Sequence, residues 1–424
     1  MNITKSDQEC KQTLRVRDHV ARDGRRFSLL YDADGDGFPL YYPTAYTTLR
    51  TAGLAANSQR ANLYILKNLY NWAHDQGIDL ELRFTSKRLL SLSEVESLTQ
   101  DVMVSKRESD GSQVSRGRIN NSLKLLACFF SWLFGRLTRD SNTPENKDLI
   151  ETLTKSLLER MVRRGSQSAA DQRQIDKKLH EITRDALLEM FACPYQTEST
   201  NFDKGIAFRN TLALQILYET GMRIGELLSL KLENFIPATG GDHAYLQITR
   251  NHDDSFDRRV LQPVAKTLGR NVPISSGLEE KILEYLGSWR ADIHNVSFEQ
   301  NAFIFVKHKR GVGQGHEIAI NTFRAALSHM IIKDIRLKGL HPHLLRHDWN
   351  YRFSQKCEEQ GLTEDQERSE RECLMGWATG SSSAKIYDRR HIRESAFRTG
   401  LAIARDTDRD IINKGSKQPQ KNDR

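Results

Sequence analysis

The chain has 424 residues with a formal net charge of +8, and 28% of its residues are charged in mixed sign. That length holds two or three domains with cores of their own, and no apolar run approaches the ~20 residues of a membrane span. The basic excess favours a polyanionic partner, nucleic acid ahead of a membrane surface, although charge alone does not separate such a protein from an ordinary basic enzyme.

Five cysteines, at 10, 128, 193, 357 and 373, are scattered without a CxxC pair. The odd number fits a reducing cytosol better than a disulfide scaffold. Cys128, inside the run "LLACFFSWLF", reads as a core residue. The N-terminal "MNITKSDQEC" has no apolar h-region, so the expected location is cytoplasmic or nucleoid-associated, with no membrane partner.

Residues 1–43 read as a polar, arginine-rich, turn-like extension. "DADGDGFPL" starts like a calcium loop, but the twelfth position from Asp32 is Pro43 where a bidentate Glu is needed, so a plain Asp/Gly turn is the better reading. Residues 44–162 read as a helical domain. "NSQRANLYILKNLYNWAHDQG" sets Ile65, Leu66, Leu69, Tyr70 and Ala73 at helical spacing between a Ser58 cap and a Gly77 stop. "SLSEVESLTQDV" is a capped helix and "INNSLKLLACFFSWLFGRL" a mostly buried one, after which "TRDSNTPENK" breaks the pattern. The polar stretch 163–178 has no apolar face and reads as a linker.

A second domain is expected over 179–400. "TRDALLEMF", "FRNTLALQILYETG" and "IGELLSLKLENF" read as helices, and "AYLQITR", "RNVPIS" and "AFIFV" as short strands. "LEEKILEYLGSW", "NTFRAALSHMIIKDI", "HLLRHDWNYRFSQ" and "SERECLMGW" are further helices. The expected fold is therefore mainly α in two domains, the second an α+β unit with a small antiparallel sheet. Residues 401–424 form a tail, disordered from about 412 by composition.

Four separated pieces of this second domain carry groups suited to phosphate chemistry. Arg223 follows the Gly221 turn in "ETGMRIGEL", with Glu226 on the adjacent helical face. Lys266 lies in "VAKTLGRNVPI", His343 and Arg346 in "HLLRH", Trp377 at the end of "LMGW" and Tyr387 in "SSSAKIYDRR". Each alone is ordinarily a solvated charge or a packed ring. Together they supply a nucleophile, two guanidinium forks, a general acid and further donors, a set able to attack a phosphodiester without a metal. His343 and His347, at i and i+4, could instead hold zinc. The residue after His343 is Leu344 rather than Glu, no third ligand is well spaced, and Arg346 would repel a cation, so an anion is the better occupant.

"TGMRIGELLSL", "KTLGRNVPI", "HPHLLRH" and "LMGWATGSSSAKIY" resemble the signature boxes of the tyrosine recombinases, the phage integrase family. The resemblance covers residues 179 to 400, and more loosely the helical stretch as that family's SAM-like core-binding domain. It implies that Arg223 and Arg346 clamp the scissile phosphate, Tyr387 is the nucleophile, Lys266 the general acid and His343 a proton handler. Trp377 stands where the family carries His or Trp; Glu226 would be a buried support for the arginines and His347 a structural histidine. The gap from Trp377 to Tyr387 is one residue longer than the family's commonest spacing, a residue that Gly380 and the serines can absorb. Tyr218 and Tyr351 are rival tyrosines, read as packed in helices.

The resemblance further implies cutting and rejoining of double-stranded DNA sites through a 3′-phosphotyrosine, for a mobile element, with no metal or other cofactor. Four protomers would assemble on two sites, with room for accessory DNA-bending proteins. The stripe Ile392, Ala396, Phe397 and Ile403 would suit a helix exchanged between protomers, or one packed on its own core. A type IB topoisomerase-like enzyme and a catalytically silent DNA-binding protein are the alternatives.

Overall fold

The computed structural model describes residues 14–32, 37–104, 114–163, 179–195, 200–381 and 396–403. The chain divides into two compact units, Met1–Gly165 with Asp253–Ser255, and Ser166–His252 with Phe256–Arg424. Among the described residues no helix is long and apolar enough to cross a membrane.

The first unit opens with a hairpin where the sequence suggested only turns. Strands β1 (Leu14–Val20) and β2 (Arg26–Asp32) pair antiparallel from Leu14↔Asp32 to Val20↔Arg26. The alternation in "LRVRDHV" is real but alternates with arginines, and it turns the fully buried Leu14 onto a small core with Leu30 and Leu63. Helices follow at α1 (Tyr41–Ala45), α2 (Ala56–Asp75), α3 (Leu80–Thr85), α4 (Leu92–Met103), α5 (Arg116–Leu137) and α6 (Pro144–Glu159).

Helix α4 carries the expected cap, a full capping box between Ser91 and Glu94. Helix α2 starts earlier than expected, with Ala55 at the cap, so Ser58 lies in its first turn; Gly77 takes φ +65° just beyond its end. The Pro144 that read as a breaker is the first residue of α6, after a Thr143 cap. Proline fits there because that N–H has no helical partner anyway. Cys128 is a correction: it is exposed on α5, while Ala127, Phe129 and Phe130 beside it are buried. A helix that is apolar for much of its length still has an outer face.

The second unit contains α7 (Glu181–Ala192), α8 (Asn201–Thr220), the single turn α9 (Ile224–Leu227), α10 (Ser276–Glu284), α11 (Ile320–Lys333), α12 (Pro342–Glu359) and α13 (Glu364–Met375). Strands β3 (Phe235–Ile236), β4 (Tyr245–Ile248) and β5 (Arg270–Pro273) form an antiparallel sheet in that order. Helix α8 is buried on most sides and forms the middle of the core.

Two expected elements differ. "IGELLSLKLENF" is α-helical only for one turn, with a separate 3-10 turn at Leu232–Asn234, because the Ser229 hydroxyl bonds back to the Glu226 carbonyl at 2.8 Å and the chain turns away. "AFIFV" is mostly buried but is not a strand, with isolated bridges only at Phe303 and Val306. Ile304 donates to Leu230 O and Phe305 accepts from Ile318 N, so its two edges meet different segments and no continuous ladder forms. The Asp/Gly turn at 33–36, residues 164–178 of the linker and the tail from 404 lie outside the described residues.

Candidate active site

Helix α8 ends at Gly221, which takes the left-handed conformation at φ +61°. A Cβ there would stand 2.7 to 3.0 Å from the Trp349 side chain, so only glycine allows α12 to pack this close. Trp349 donates its indole N–H to Glu219 O at 2.8 Å, and Arg346 Nη1 donates to Gly221 O at 2.7 Å. Arg346 is 1% exposed. The second of two boxes 125 residues apart is thus pinned to the turn that leads directly into the first.

Arg223 is the N-cap of α9. Its amide donates to Glu226 Oε2 at 3.0 Å and its Nη1 to Oε1 at 3.4 Å, while a third of its side chain stays exposed. Glu226 is fully buried and also accepts from the Thr267 hydroxyl at 2.7 Å and from Arg270 Nη2 at 2.8 Å. Burial alone would raise this carboxyl. The Arg270 charge and hydrogen bond, the Arg223 amide and the Thr267 hydroxyl outweigh burial and hold it below its ordinary value. Glu226 is therefore held as an anion between Arg223 and Arg270.

Lys266 is exposed between the buried Ala265 and Thr267, so its backbone is held on both sides while its ammonium reaches solvent. The turn at Gly376 closes on this segment. Gly376 caps α13 at φ +65°, accepts from Leu268 N at 2.9 Å, and a Cβ on it would lie 2.7 Å from Leu268 O. The next residue, Trp377, is 7% exposed and lies with its ring 5.5 Å from the Arg346 guanidinium carbon. An indole can donate to a phosphate oxygen and pack an arginine, but it cannot carry a proton.

His343 is exposed in the first turn of α12 and meets His347 edge-on, with ring centroids 4.5 Å apart. The third histidine of the stretch, His341, is the helix cap, its Nδ1 accepting from Leu344 N at 3.1 Å. Among the described residues no group of three or more His, Cys, Asp or Glu is arranged to hold a metal ion. Gly380 takes φ +77°, and Glu372 Oε1 accepts the amides of Gly380 and Ser381 at 3.0 and 3.1 Å. Tyr387 lies outside the described residues. Tyr218 is packed under Arg352, and Tyr351 is partly buried on α12.

Glu226 and the Gly376–Trp377 turn are thus bonded to the Lys266 segment, Arg223 joins it through Glu226, and Arg346 lies beside the Trp377 ring and on the Gly221 turn. Sequence reasoning did not assign roles to Thr267, Arg270 or Glu372. Arg270 had served only as a landmark in "KTLGRNVPI", and nothing in its spacing shows where its guanidinium goes.

Residues 195–360 match the model of the phage integrase family. The chain is 24% identical over 247 residues to the tyrosine recombinase XerC of Bacillus licheniformis, covering 58% of this chain and 64% of that protein. It is 23% identical over 252 residues to the tyrosine recombinase XerC of Bacillus subtilis, covering 59% and 66%. The matched region thus spans just under two thirds of these relatives' length. A Tn1549 transposon integrase structure in complex with transposon right end DNA aligns with a TM-score of 0.48 at 13% identity, over 84% of this chain and all of that one.

Proposed function

On the match of residues 195–360 to the model of the phage integrase family, we propose that the chain is a site-specific recombinase of double-stranded DNA. Residues 179–400 form its catalytic domain and 44–162 a core-binding domain. The observation that carries this reading is the joining of distant boxes: Arg346 to the Gly221 turn before Arg223, and the Lys266 segment to both Glu226 and the Gly376–Trp377 turn.

In this mechanism Arg223 and Arg346 hold the non-bridging oxygens of the scissile phosphate. A free phenol has a pKa near ~10 and is a weak nucleophile at neutral pH; two guanidiniums stabilise both the phenolate and the pentavalent transition state. The Tyr387 oxygen attacks phosphorus, the bond to the 5′-oxygen breaks, and Lys266 donates the proton that oxygen takes up. His343 handles the phenolic proton, and Trp377 packs Arg346 and donates a hydrogen bond. The 3′-phosphotyrosine retains the energy of the broken ester, so another 5′-hydroxyl can reverse or redirect the step without metal, nucleotide or other cofactor.

The expected partners are recombination sites of a mobile element, bound by a homo-tetramer in the cytoplasm or nucleoid, with DNA-bending proteins as accessories. Residues 396–403 are helical, with Phe397 73% and Ile403 67% exposed, which supports a C-terminal helix suited to exchange between protomers.

A covalent trap tests the reading. Wild type and Tyr387→Phe are incubated, without divalent metal, with nicked duplexes from the ends of the encoding element, then separated on a denaturing gel. An adduct that requires Tyr387 supports the mechanism. Binding without any adduct favours a silent DNA-binding protein, and an adduct formed by Tyr387→Phe moves the nucleophile to another tyrosine.

A further inference from the structure

One guanidinium ties together three segments of the candidate site. Arg270, whose side chain is 4% exposed, donates from Nη2 to Glu226 Oε2 at 2.8 Å, from Nη1 to the Thr267 hydroxyl at 2.9 Å and from Nε to Leu374 O at 2.6 Å. Its backbone is fixed at the start of β5, opposite Ile248. The Thr267 hydroxyl in turn donates to the other Glu226 oxygen at 2.7 Å, and Leu268 N bonds Gly376 O at 2.9 Å. Lys266 is the residue immediately before this cluster. Its ammonium is solvated, and no hydrogen bond of its own is needed to hold its backbone: Thr267, Leu268 and Arg270 hold it.

We propose that Arg270 is a positioning residue for proton donation by Lys266, clamping the 266–268 segment between the buried Glu226 and the Gly376–Trp377 turn. The inference rests on the recombinase reading and adds to it a buried residue that acts through its neighbours. A guanidinium is required because the three acceptors lie in three directions. A lysine ammonium at the end of a flexible stem has no planar fork and cannot hold all three in the same arrangement. Thr267 shares the task, since its hydroxyl accepts from Arg270 while donating to Glu226.

The leaving group offers a test that a merely structural role would not pass. With an ordinary phosphodiester the 5′-oxygen must take a proton as the P–O bond breaks, because an alkoxide is a poor leaving group (its conjugate acid is near water's ~15.7). With sulfur in place of the bridging 5′-oxygen, the P–S bond breaks to a thiolate, whose conjugate acid lies near ~8.5 for a thiol such as cysteine, and no proton is required. Wild type, Lys266→Ala, Arg270→Lys and Thr267→Val are compared for adduct formation on nicked duplexes with each leaving group, alongside DNA binding and thermal melting.

We expect Lys266→Ala and Arg270→Lys to form adduct on the order of 10²-fold more slowly than wild type with oxygen. With sulfur, both should return to within several-fold of wild type, and Thr267→Val should show the same pattern in weaker form. An Arg270→Lys protein equally slow on both leaving groups, or as fast as wild type on oxygen, overturns the proposal. So does a Lys266→Ala defect that sulfur does not relieve, which would remove the general acid while leaving the recombinase reading intact. A wild type that forms no adduct with either duplex overturns the recombinase reading itself. If Arg270→Lys fails to fold, Thr267→Val decides between the same outcomes.

Discussion

Gly376 and Gly380 lie four positions apart and both need positive φ, at +65° and +77°, yet they meet different surroundings. A Cβ on Gly376 would sit 2.7 Å from Leu268 O and 2.8 Å from Arg270 Nη1, whereas nothing lies within 4 Å of one on Gly380. Gly380→Ala should therefore cost only the left-handed penalty of about 1–2 kcal/mol. Gly376→Ala should cost more, and should also slow adduct formation by displacing the Lys266 segment. Melting temperatures and cleavage rates of the two variants check this; equal losses would mean that the close approach is unimportant.

His308 carries a second residue-scale prediction. It is 1% exposed, and its Nε2 is 3.2 Å from the Tyr285 hydroxyl. Burial, with the nearby Arg209 charge adding to it, pushes its pKa down from 6.5 to about 3. Because the folded value is depressed, the unfolded chain binds this proton first as pH falls. The stabilisation from keeping His308 neutral is full above pH 6.5 and is lost progressively towards pH 3. Between about pH 6.5 and pH 5.5 the second unit should lose roughly 1 kcal/mol from this group alone. Denaturant titrations at both pH values should show that loss in wild type and a smaller one in His308→Gln.

At the scale of elements, helix faces decide chemistry that composition hides. Cys128, Cys193 and Cys373 are exposed and Cys357 is buried, where burial pushes its thiol up to about 11. Among the described cysteines, a maleimide-type reagent at neutral pH should modify Cys128, Cys193 and Cys373 in the native protein and reach Cys357 only on unfolding, read by mass spectrometry of digests. The helices were legible because their signals are local: the Ser91–Glu94 box, the apolar spacing of α2 and the Gly221 stop lie within a few residues of what they specify. The hairpin Leu14–Val20 with Arg26–Asp32 was missed because arginines occupy its outward positions. The reach of "IGELLSLKLENF" was overestimated because Ser229 competes for the Glu226 carbonyl, which periodicity does not register.

At the scale of the whole molecule, the prediction concerns salt. If the proposed DNA binding is right, the net charge of +8 should make duplex affinity depend steeply and linearly on salt in a log–log plot. Between about 50 and about 200 mM salt the affinity should fall on the order of 10³-fold, measured by fluorescence anisotropy with a labelled duplex. A nearly flat dependence would show that the basic excess does not serve DNA.

Short-range order in the chain determined which residue types could act here: the HxLRH box, an arginine after a glycine turn, a lysine before "RNVPI" and a tryptophan after a glycine. Each follows from neighbours a few positions away and needs no knowledge of the fold. Only the tertiary structure decided that Arg346 binds the Gly221 carbonyl, that Glu226 serves two arginines at once, and that Arg270 joins the Lys266 segment to the end of α13. Apart from the Arg223–Glu226 contact, which is local, they span 44 to 125 residues. Their geometry depends on how α8, α12, α13 and the sheet pack, and no local periodicity encodes where a long side chain finds its acceptors.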